Sequence, residues 1–435
     1  MRRLLQVFEH ERLTRRPDAL GRFLSEVELA RLYDFNDRHD NKYFTGIRDG
    51  VKFKSYVGVI QIGGLTIEVL PKSDRNKGEE SEYWVWHSVL LDMLRICKKI
   101  NVHTVSETNL RKRHHSILEL YFEMYLDEVE VLLRQGLIKK YRRKAGNTPS
   151  LKGQILFAQQ IQQNLIHQER FFTKHQVYDH ENVVNQILME GLQAISELTQ
   201  SPSLNQRIAQ LTVLFPPIRR KEIQARHFQG LGDDRALSRY QKALNIAKMI
   251  LLNYSPDIQS GRENMLALMF DMNVLWEEYV YRMLLRVKIP GLKVEPQNQM
   301  RFWENTTLGR SRNVRPDLVI SMPTADGLET FVIDTKWKVL DANFPRPSDD
   351  DLKQMFVYNA YWKSSRSMLL YPTTFPRQEV LGHFWVQHSM DEVNECKLGF
   401  VGVLNNQGRL NLEIGQSIVE KLKLSLSSKP QIPRN

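Results

Sequence analysis

Three ionisable side chains, Asp317, Asp334 and Lys336, have the types and the spacing that metal-assisted hydrolysis needs. They lie in or beside two runs with strand character, Val314 to Ser321 and Thr330 to Trp337, which turn-forming residues separate. Side chains alternate across a strand, so Asp334 and Lys336 share one face of the second run. If the first run pairs with it as a hairpin and presents Asp317 on that face, two carboxylates and an ammonium group meet.

This trio matches the chemistry of phosphodiester hydrolysis. Mg²⁺ is held by one or two carboxylates, keeps several waters, and activates a water while it polarises a phosphate. Asp317 and Asp334 would supply the carboxylates. Lys336 would orient the attacking water, lower its pKa, or offset charge that builds up on the phosphate. The competing interpretation is a Pro-Asp turn at Asp317 and a surface ion pair between Asp334 and Lys336.

The sequence around these residues resembles a known nuclease signature. Pro-Asp before one strand and IDTK at the end of an apolar one are similar to the PD-(D/E)XK pattern, and RPDLVI, FVIDTKWK and DLKQMFVY resemble the McrC family in particular. McrC chains are the nuclease subunits of McrBC modification-dependent restriction systems. The resemblance implies a C-terminal α/β endonuclease domain with a mixed central sheet, which uses Mg²⁺ or Mn²⁺ to cut double-stranded DNA.

A helix is predicted after the second strand, with Ser348 as its N-cap and three aspartates in its first turn. Gln354 and Tyr358 are four residues apart and therefore lie on one face of this helix. A Q-x-x-x-Y pair follows the lysine in some PD-(D/E)XK branches, so the resemblance implies that both residues position the DNA backbone or the waters of the metal. Without the resemblance, Tyr358 is interpreted as a core residue.

A further candidate acid, Glu277, lies in an apolar stretch, Met265 to Val287, that we predict to be one long helix. An ionised carboxylate on a buried face is costly unless it is paired or bound to a cation. Glu277 therefore either forms an ion pair or points into the metal site. DMNVLWEEYV resembles the McrC segment in which such an acid precedes the Pro-Asp motif, but Glu278 or an ion pair explains the pattern equally well.

The order of patterns along the chain predicts an α+β protein with three regions. Residues 1–100 are β-rich, with a hairpin at Ser55 to Lys72 that turns at Gly63 and Gly64. Residues 101–255 have mainly helical periodicity, and residues 256–435 form the endonuclease domain. The resemblance implies that the N-terminal region docks the chain onto a partner. The hairpin itself is predicted either as part of a β-domain or as a projection.

Composition places the chain among ordinary globular proteins. It has 435 residues, of which 42% are apolar and 26% charged, and only two cysteines, too few for a disulfide framework or a structural zinc site. This cysteine usage fits a reducing cytoplasm. The sequence contains no run of about 18 apolar residues, so no membrane span is predicted. The net charge of +11 and a pI near 9.4 favour a polyanionic partner such as DNA.

Two basic clusters add to this charge. Arg111 to Arg113, followed by His114 and His115, and the run KKYRRK at Lys139 to Lys144 are each able to bind phosphates. Tyr141 in the second cluster is able to stack on a base. The alternative interpretation of each cluster is solvated surface.

The sequence contains no G-x-x-x-x-G-K-[ST] loop, so the chain has no recognisable cradle for a nucleotide triphosphate. The resemblance implies that a partner binds the nucleotide instead. This partner is a hexameric McrB-like AAA+ GTPase that binds GTP, recognises methylcytosine-containing DNA and is stimulated by its McrC partner. The alternative is a self-sufficient PD-(D/E)XK nuclease of repair or phage defence, without a motor. A weaker third possibility, a non-catalytic DNA-binding scaffold, conflicts with the intact Asp317, Asp334 and Lys336.

Overall fold

The computed structural model describes residues 3–72, 80–99, 117–199, 201–231, 234–255, 265–305, 307, 309–324, 327–341, 343–385 and 394–427. The chain forms two compact units that are discontinuous in sequence. The first holds Ile60–Gly64 and Val102–Leu268, and the second holds Arg2–Val59, Leu65–Asn101 and Met269–Asn435. Helices and strands both contribute throughout, so the predicted α+β class is confirmed.

Several helices begin at polar side chains that accept hydrogen bonds from otherwise unpaired backbone N–H groups. Ser25, Asn182, Asp271 and Ser348 each do so. None of the described helices is both long enough and apolar enough to span a bilayer. In chain order the helices are α1 (Glu26–Arg38), α2 (Glu80–Ile96), α3 (Ile117–Gln135), α4 (Phe157–Asn164), α5 (Val183–Leu198), α6 (Pro202–Leu214), α7 (Gln241–Asn253), α8 (Met272–Leu284), α9 (Asp349–Trp362) and α10 (Ile414–Ser427), with short 3₁₀ helices at Ala225–Phe228 and Arg235–Tyr240.

The strands fall into several small sheets and one larger mixed sheet. In chain order they are β1 (Arg3–Phe8), β2 (Arg12–Thr14), β3 (Phe44–Ile47), β4 (Gly50–Phe53), β5 (Tyr56–Ile62), β6 (Leu65–Leu70), β7 (Lys140–Thr148), β8 (Gln154–Ile155), β9 (Phe171–Asp179), β10 (Tyr254–Ser255), β11 (Met265–Asp271), β12 (Lys293–Pro296), β13 (Met300–Asn305), β14 (Arg310–Val314), β15 (Leu318–Thr324), β16 (Gly327–Thr335), β17 (Arg366–Thr373), β18 (Val380–His383) and β19 (Glu395–Gly402).

The predicted N-terminal hairpin is present as β5 and β6, which are neighbours in the order β1-β6-β5 and are joined at Gly63 and Gly64. Gly63 has a φ of 52°, which glycine adopts without steric cost. β6 pairs in parallel with β1. Every residue of β6 is buried, and β5 is buried from Val57 onward. The hairpin is therefore part of a core and does not project from it.

A six-stranded mixed sheet with the order β12-β15-β16-β17-β19-β18 dominates the C-terminal residues. β15 and β16 pair antiparallel as the predicted hairpin, and β17 continues the sheet in parallel with β16. The apolar run MLLYP at Met368 to Pro372 lies within β17 and is buried. Helix α9 packs on this sheet through a buried cluster that includes Met355, Tyr358 and Val332.

The predicted long helix from Met265 to Val287 is wrong in its first third. Residues Met265–Asp271 form β11, and the helix begins only at Met272, where the Asp271 side chain accepts a hydrogen bond from Asn273 N–H. The run MLALMF is apolar without interruption, and such a run fits a buried strand as well as a helix. The capping aspartate is the signal that marks the true helix start.

The middle region is mostly helical, as predicted, but it also contains a three-stranded sheet with the order β7-β9-β8 that the sequence analysis missed. The basic run at Lys139 to Lys144 falls almost entirely within β7, which pairs antiparallel with β9. β7 is mostly exposed and lacks apolar alternation, so periodicity gave no strand signal. The other basic cluster, at 111–115, lies outside the described residues.

The bounds of the two units differ from those of the three predicted regions, and the functional division into 1–100, 101–255 and 256–435 stays a prediction. One contact within the second unit joins residues that are far apart in sequence. Trp337, next to Lys336, donates its indole N–H to the buried carboxylate of Glu9, which also accepts from Lys72 N–H at 2.8 Å. Burial raises the pKa of Glu9 to about 7.

We expect Glu9→Ala to lower the free energy of unfolding by about 1 to 3 kcal/mol, because the buried indole donor of Trp337 is left without an acceptor. Glu9→Gln is the matched control, since its amide oxygen still accepts the indole hydrogen bond. Denaturant unfolding of the full chain measures both variants. Equal stability of Glu9→Ala and the wild type would contradict the role assigned to this contact.

Candidate active site

Asp317 and Asp334 lie opposite each other at the ends of two paired strands. Asp317 immediately precedes β15, and Asp334 is the last residue but one of β16. The antiparallel register pairs Leu318 with Ile333. Continued by one residue, this register places Asp317 across from Asp334, and residues opposite each other in an antiparallel pair share a face. The same-face arrangement that the sequence predicts is therefore present.

Asp317 is fixed by the neighbouring strand. Its Oδ2 accepts a hydrogen bond from the backbone N–H of Thr335 at 2.7 Å and another from the Thr335 hydroxyl at 2.8 Å. Thr335 was not predicted as a site residue, because alternation along the strand places its side chain on the face opposite Asp334 and Lys336. The hydroxyl nevertheless reaches Asp317 from the end of the strand. This pair of donors holds the carboxylate in one orientation.

Lys336 lies between two carboxylates. Its Nζ is 2.7 Å from Asp334 Oδ2 and 3.2 Å from Asp351 Oδ1. Asp351 also pairs with Lys338, whose Nζ is 3.1 Å from its Oδ2. The sequence analysis missed Asp351 because it counted this residue only as an acid of the first helical turn. The spacing from Asp351 to Gln354 and Tyr358, three and seven residues, places all three on one face of α9 and was the available signal.

Gln354 and Tyr358 connect the trio to α9. Gln354 Nε2 lies 3.4 Å from Asp334 Oδ1, and Lys336 Nζ lies 3.4 Å from Gln354 Oε1, so the amide contacts both charged groups. Gln354 also donates to the Tyr358 hydroxyl, which in turn donates to the backbone carbonyl of Arg315 at 2.8 Å. The structure thus brings both predicted helix residues to the two strands that carry the acids.

Glu277 lies near the same carboxylates from helix α8. Its side chain accepts a hydrogen bond from Gln297 Nε2, and the backbone N–H of Gln297 donates to the carbonyl of Asp317 at 2.9 Å. The alternative acid, Glu278, is instead occupied by ion pairs with Lys99 at 2.9 Å and Arg282 at 3.2 Å. Of the two adjacent glutamates, Glu277 is therefore the one that faces the site.

The carboxylates at this site repel one another in a buried setting. Burial raises the pKa of Asp317, and the charge of Glu277 raises it further. Burial also raises the pKa of Asp334, with Asp317 as the next cause. For Glu277, burial again raises the pKa, and the Asp334 charge adds to this effect. Desolvation and like charges of this kind are relieved when a cation binds between the carboxylates.

Lys336 behaves in the opposite way. Burial alone lowers the pKa of its ammonium group, but the ion pairs with Asp334 and Asp351 outweigh burial and raise the pKa above its ordinary value. Lys336 therefore stays protonated at neutral pH. It offers charge and N–H donors to a bound group and is not placed to accept a proton.

The donor set fits a hard divalent cation. Asp334 Oδ2 is buried and has no aligned hydrogen-bond donor, although the Lys336 ammonium group lies beside it. No three His, Cys, Asp or Glu side chains in the described part of the chain form a ready metal cluster. Mg²⁺ requires less than such a cluster, since it often takes one or two carboxylates and keeps waters as its other ligands. Asp317 and Asp334 would hold such an ion, with Glu277 beside them.

Comparisons with known proteins add an independent line of evidence. The sequence model of the family described as "McrBC 5-methylcytosine restriction system component" matches residues 51–372. No curated protein sequence matches the chain.

Two solved structures are similar to the fold. One is a refined half-complex from a tetradecameric assembly of Thermococcus gammatolerans McrB AAA+ hexamers with bound McrC. Its matching chain has 16% sequence identity and a TM-score of 0.67, and the match covers 97% of this chain and all of that one. The other is the cryo-EM structure of the T. gammatolerans McrBC complex, with 18% identity, a TM-score of 0.47, and coverage of 66% and 89%. The first match shows that this fold has been seen before.

The raised pKa values predict that one of these acids destabilises the metal-free protein. A carboxyl group whose pKa is higher in the folded than in the unfolded state loses stability as the pH rises from about 4 through the raised pKa. In EDTA we therefore expect Asp317→Asn, which keeps an acceptor oxygen for Thr335, to unfold at a higher temperature than the wild type. The gain is of the order of 1 kcal/mol for each unit of pKa shift removed and grows between acid and neutral pH.

The matched control is Asp350→Asn, in the exposed first turn of α9. Its effect should be within about 0.5 kcal/mol of zero, as for other surface substitutions. Thermal unfolding at acid and neutral pH gives the comparison. A destabilised Asp317→Asn at neutral pH, without metal, would contradict the electrostatic description of the site.

Proposed function

The chain belongs to the McrBC 5-methylcytosine restriction system component family, and we propose that it is the nuclease subunit of a GTP-dependent restriction complex. In this proposal it hydrolyses phosphodiester bonds of DNA whose methylcytosines the complex recognises. The observation that carries the proposal is the meeting of Asp317, Asp334 and Lys336 at the ends of two paired strands. The order Pro-Asp, then Asp-x-Lys, is that of the PD-(D/E)XK signature.

The geometry supports a division of labour between these residues. A Mg²⁺ or Mn²⁺ ion bound by Asp317 and Asp334 would activate a water and polarise the phosphate. Thr335 keeps Asp317 oriented toward that position. Lys336 remains an ammonium group, so it stabilises negative charge on the reacting phosphate or orients the water by donating hydrogen bonds. Gln354 contacts both Lys336 and Asp334 and so fixes the positions of these two side chains relative to each other.

We also propose that residues 256–435 form the PD-(D/E)XK endonuclease domain. The mixed sheet supports this assignment, because its antiparallel pair β15 and β16 carries the two aspartates and the parallel strand β17 follows after the crossover helix α9. Helix α8 contributes Glu277 from the segment before the Pro-Asp motif. The acidic side chains thus converge from helix α8 and from the paired strands β15 and β16 of one region.

The partner in this proposal is a hexameric McrB-like AAA+ GTPase. In the T. gammatolerans assembly, McrC is bound to McrB AAA+ hexamers, and its chain aligns with this one over 97% of the length. The absence of a phosphate-binding loop in this sequence supports the same arrangement, since the nucleotide must then be bound by another chain. GTP is accordingly a ligand of the partner and the divalent metal is the cofactor of this chain.

The docking of the partner to residues 1–100 is a proposal. The burial of the side chains limits which surfaces of these residues are available for it. β5 and β6 are buried and present little surface. Helix α1 and strand β3 carry more exposed residues, including Val27 at 58% relative exposure. We place docking within these residues at the exposed face of α1 and at β3.

Single substitutions in the trio should abolish cleavage in the assembled complex. We expect Asp317→Asn, Asp334→Asn and Lys336→Ala each to lower the rate of DNA cutting by roughly a hundredfold or more, because each removes a charge that acts on the reacting phosphate. GTP turnover by the partner should persist. Lys338→Ala is the matched control, as it removes a lysine two residues away that pairs with the same Asp351 but has a half-exposed side chain.

Strand cutting and GTP hydrolysis are measured on the same samples with Mg²⁺. Cutting by Asp334→Asn at the wild-type rate would overturn the assignment of the site. Loss of GTP turnover in Lys336→Ala, with the complex still assembled, would show that the nuclease site is coupled to the motor.

Cutting should also depend on the partner. We expect the isolated chain with Mg²⁺ to cut methylated DNA slowly and without defined positions, and the complex with GTP to cut it efficiently. The control is the complex supplied with a nonhydrolysable GTP analogue, in which translocation stops. Efficient cutting at defined positions by the chain alone would favour a self-sufficient nuclease.

A further inference from the structure

A cleft of about 600 Å³ opens beside the candidate active site, between helix α9 and the two-stranded ribbon β13–β14. Gln354 and Tyr358 line it from the helix, and Phe302, Asn313 and Arg315 line it from the ribbon side. Clefts that bind small ligands have volumes of roughly 300 to 1,000 Å³. The cleft is therefore large enough for one unit of a polymer, and the roles assigned above use only Gln354 and Tyr358 of its lining.

Two hydrogen bonds attach the ribbon to the helix. The Tyr358 hydroxyl donates to the carbonyl of Arg315 at 2.8 Å, and the Tyr361 hydroxyl lies 3.5 Å from the carbonyl of Phe302. The ring of Tyr361 also contacts the ring of Phe302, with 6.0 Å between centroids. Both walls of the cleft are thus held in a fixed relation to the helix that carries Gln354.

The lining is positively charged. Lys353 and Arg315 both contribute to it, are exposed, and form no ion pair with any residue that the structure describes. No aspartate or glutamate lines the cleft. The charge of Arg315 also acts on Glu277, where it opposes the rise in pKa that burial causes. A ligand with a phosphate group complements this charge.

The rest of the lining suits a base. Phe302 is 52% exposed although it is a large aromatic side chain, and its ring forms part of the cleft wall. Exposed aromatic rings bind nucleic-acid bases by stacking, which tolerates any base. Asn313 and Gln299 add amide groups, which contact each other weakly at 3.4 Å and are able to bond to base edges.

The contacts of Gln354 connect this cleft to the chemistry. Gln354 lines the cleft and also lies within 3.4 Å of both Asp334 and Lys336. Gln354 thus belongs both to the cleft wall and to the candidate site. A nucleotide bound in the cleft would therefore lie next to a phosphate held at the two aspartates.

We propose that this cleft binds one nucleotide of the cleaved DNA strand, next to the phosphodiester that is cut. Its phosphate is bound by Lys353 and Arg315, and its base stacks on Phe302. The inference rests on the proposed nuclease function. It adds a substrate-positioning site that would fix which phosphate of the bound strand reaches Asp317 and Asp334.

The test is DNA binding by the full chain in EDTA, so that binding is measured without cleavage. The probe is a short single-stranded DNA, whose bases are free to stack, and it carries a fluorophore and 5-iododeoxyuridine, a base that crosslinks to aromatic rings under ultraviolet light. We expect Lys353→Ala to weaken binding and to reduce the slope of log affinity against log salt by about 0.7, the value for one phosphate contact with a single strand. We expect Phe302→Ala to weaken binding roughly fivefold or more and to abolish crosslinking to the peptide that contains residue 302.

Arg301→Ala is the matched control. It removes one positive charge from the same ribbon, but Arg301 does not line the cleft and lies 3.8 Å from Glu304. Its affinity, salt slope and crosslink should equal those of the wild type. Unchanged binding and crosslinking in Lys353→Ala and Phe302→Ala would overturn the proposal. So would loss of association with the GTPase partner in these variants with DNA binding intact, since the occupant would then be a protein.

Failure of the cleft and failure of the nuclease assignment give different results. If the complex cuts DNA and the two cleft variants bind and cut it as the wild type does, the cleft proposal fails and the nuclease function stands. If DNA crosslinks to residue 302 but the complex never cuts, the cleft stands as a binding site and the nuclease function fails.

Discussion

The structure around the candidate active site depends on carboxylates that are buried and therefore poorly solvated. Asp317, Asp334 and Glu277 lie close enough that each raises the pKa of a neighbour, and burial adds to the effect. Charges of one sign are not gathered in a protein interior without compensation. The protein supplies one ammonium group, Lys336, which Asp351 shares. The remaining negative charge is the physical basis for our proposal that the site binds a divalent cation and, through that cation, phosphate.

The surrounding fold restrains this unstable arrangement. The backbone N–H of Lys336 donates to Leu370 O at 2.9 Å, so β17 supports the chain at the lysine of the candidate site. On the next residue, Trp337 is buried and bonded to Glu9. Restraints from both directions keep the lysine in place while its neighbours repel one another. The same principle explains why the site lies at strand ends, where side chains of several elements converge without the flexibility of a long loop.

Much of this site was predictable from the sequence because it depends on short-range rules. Alternation along a strand placed Asp334 and Lys336 on one face, and helical spacing placed Gln354 with Tyr358. Asp351 shows the limit of such rules, since a local helix-dipole explanation was sufficient for it and hid its contact with Lys336. β11 shows another limit, because a continuous apolar run has no period. Contacts between residues distant in sequence, such as Glu9 with Trp337, leave no local signal at all.

The discontinuity of the second unit has a consequence for how the protein is made. Trp337 is synthesised 328 residues after Glu9. The hydrogen bond between them therefore cannot form when the N-terminal strands leave the ribosome. Domains generally fold as units during synthesis. The first unit, whose main segment Val102–Leu268 is continuous, is available to fold while the second is still incomplete. The acids therefore come together only after Lys336 and the strands around it have been synthesised, so a shorter nascent chain carries no assembled candidate site.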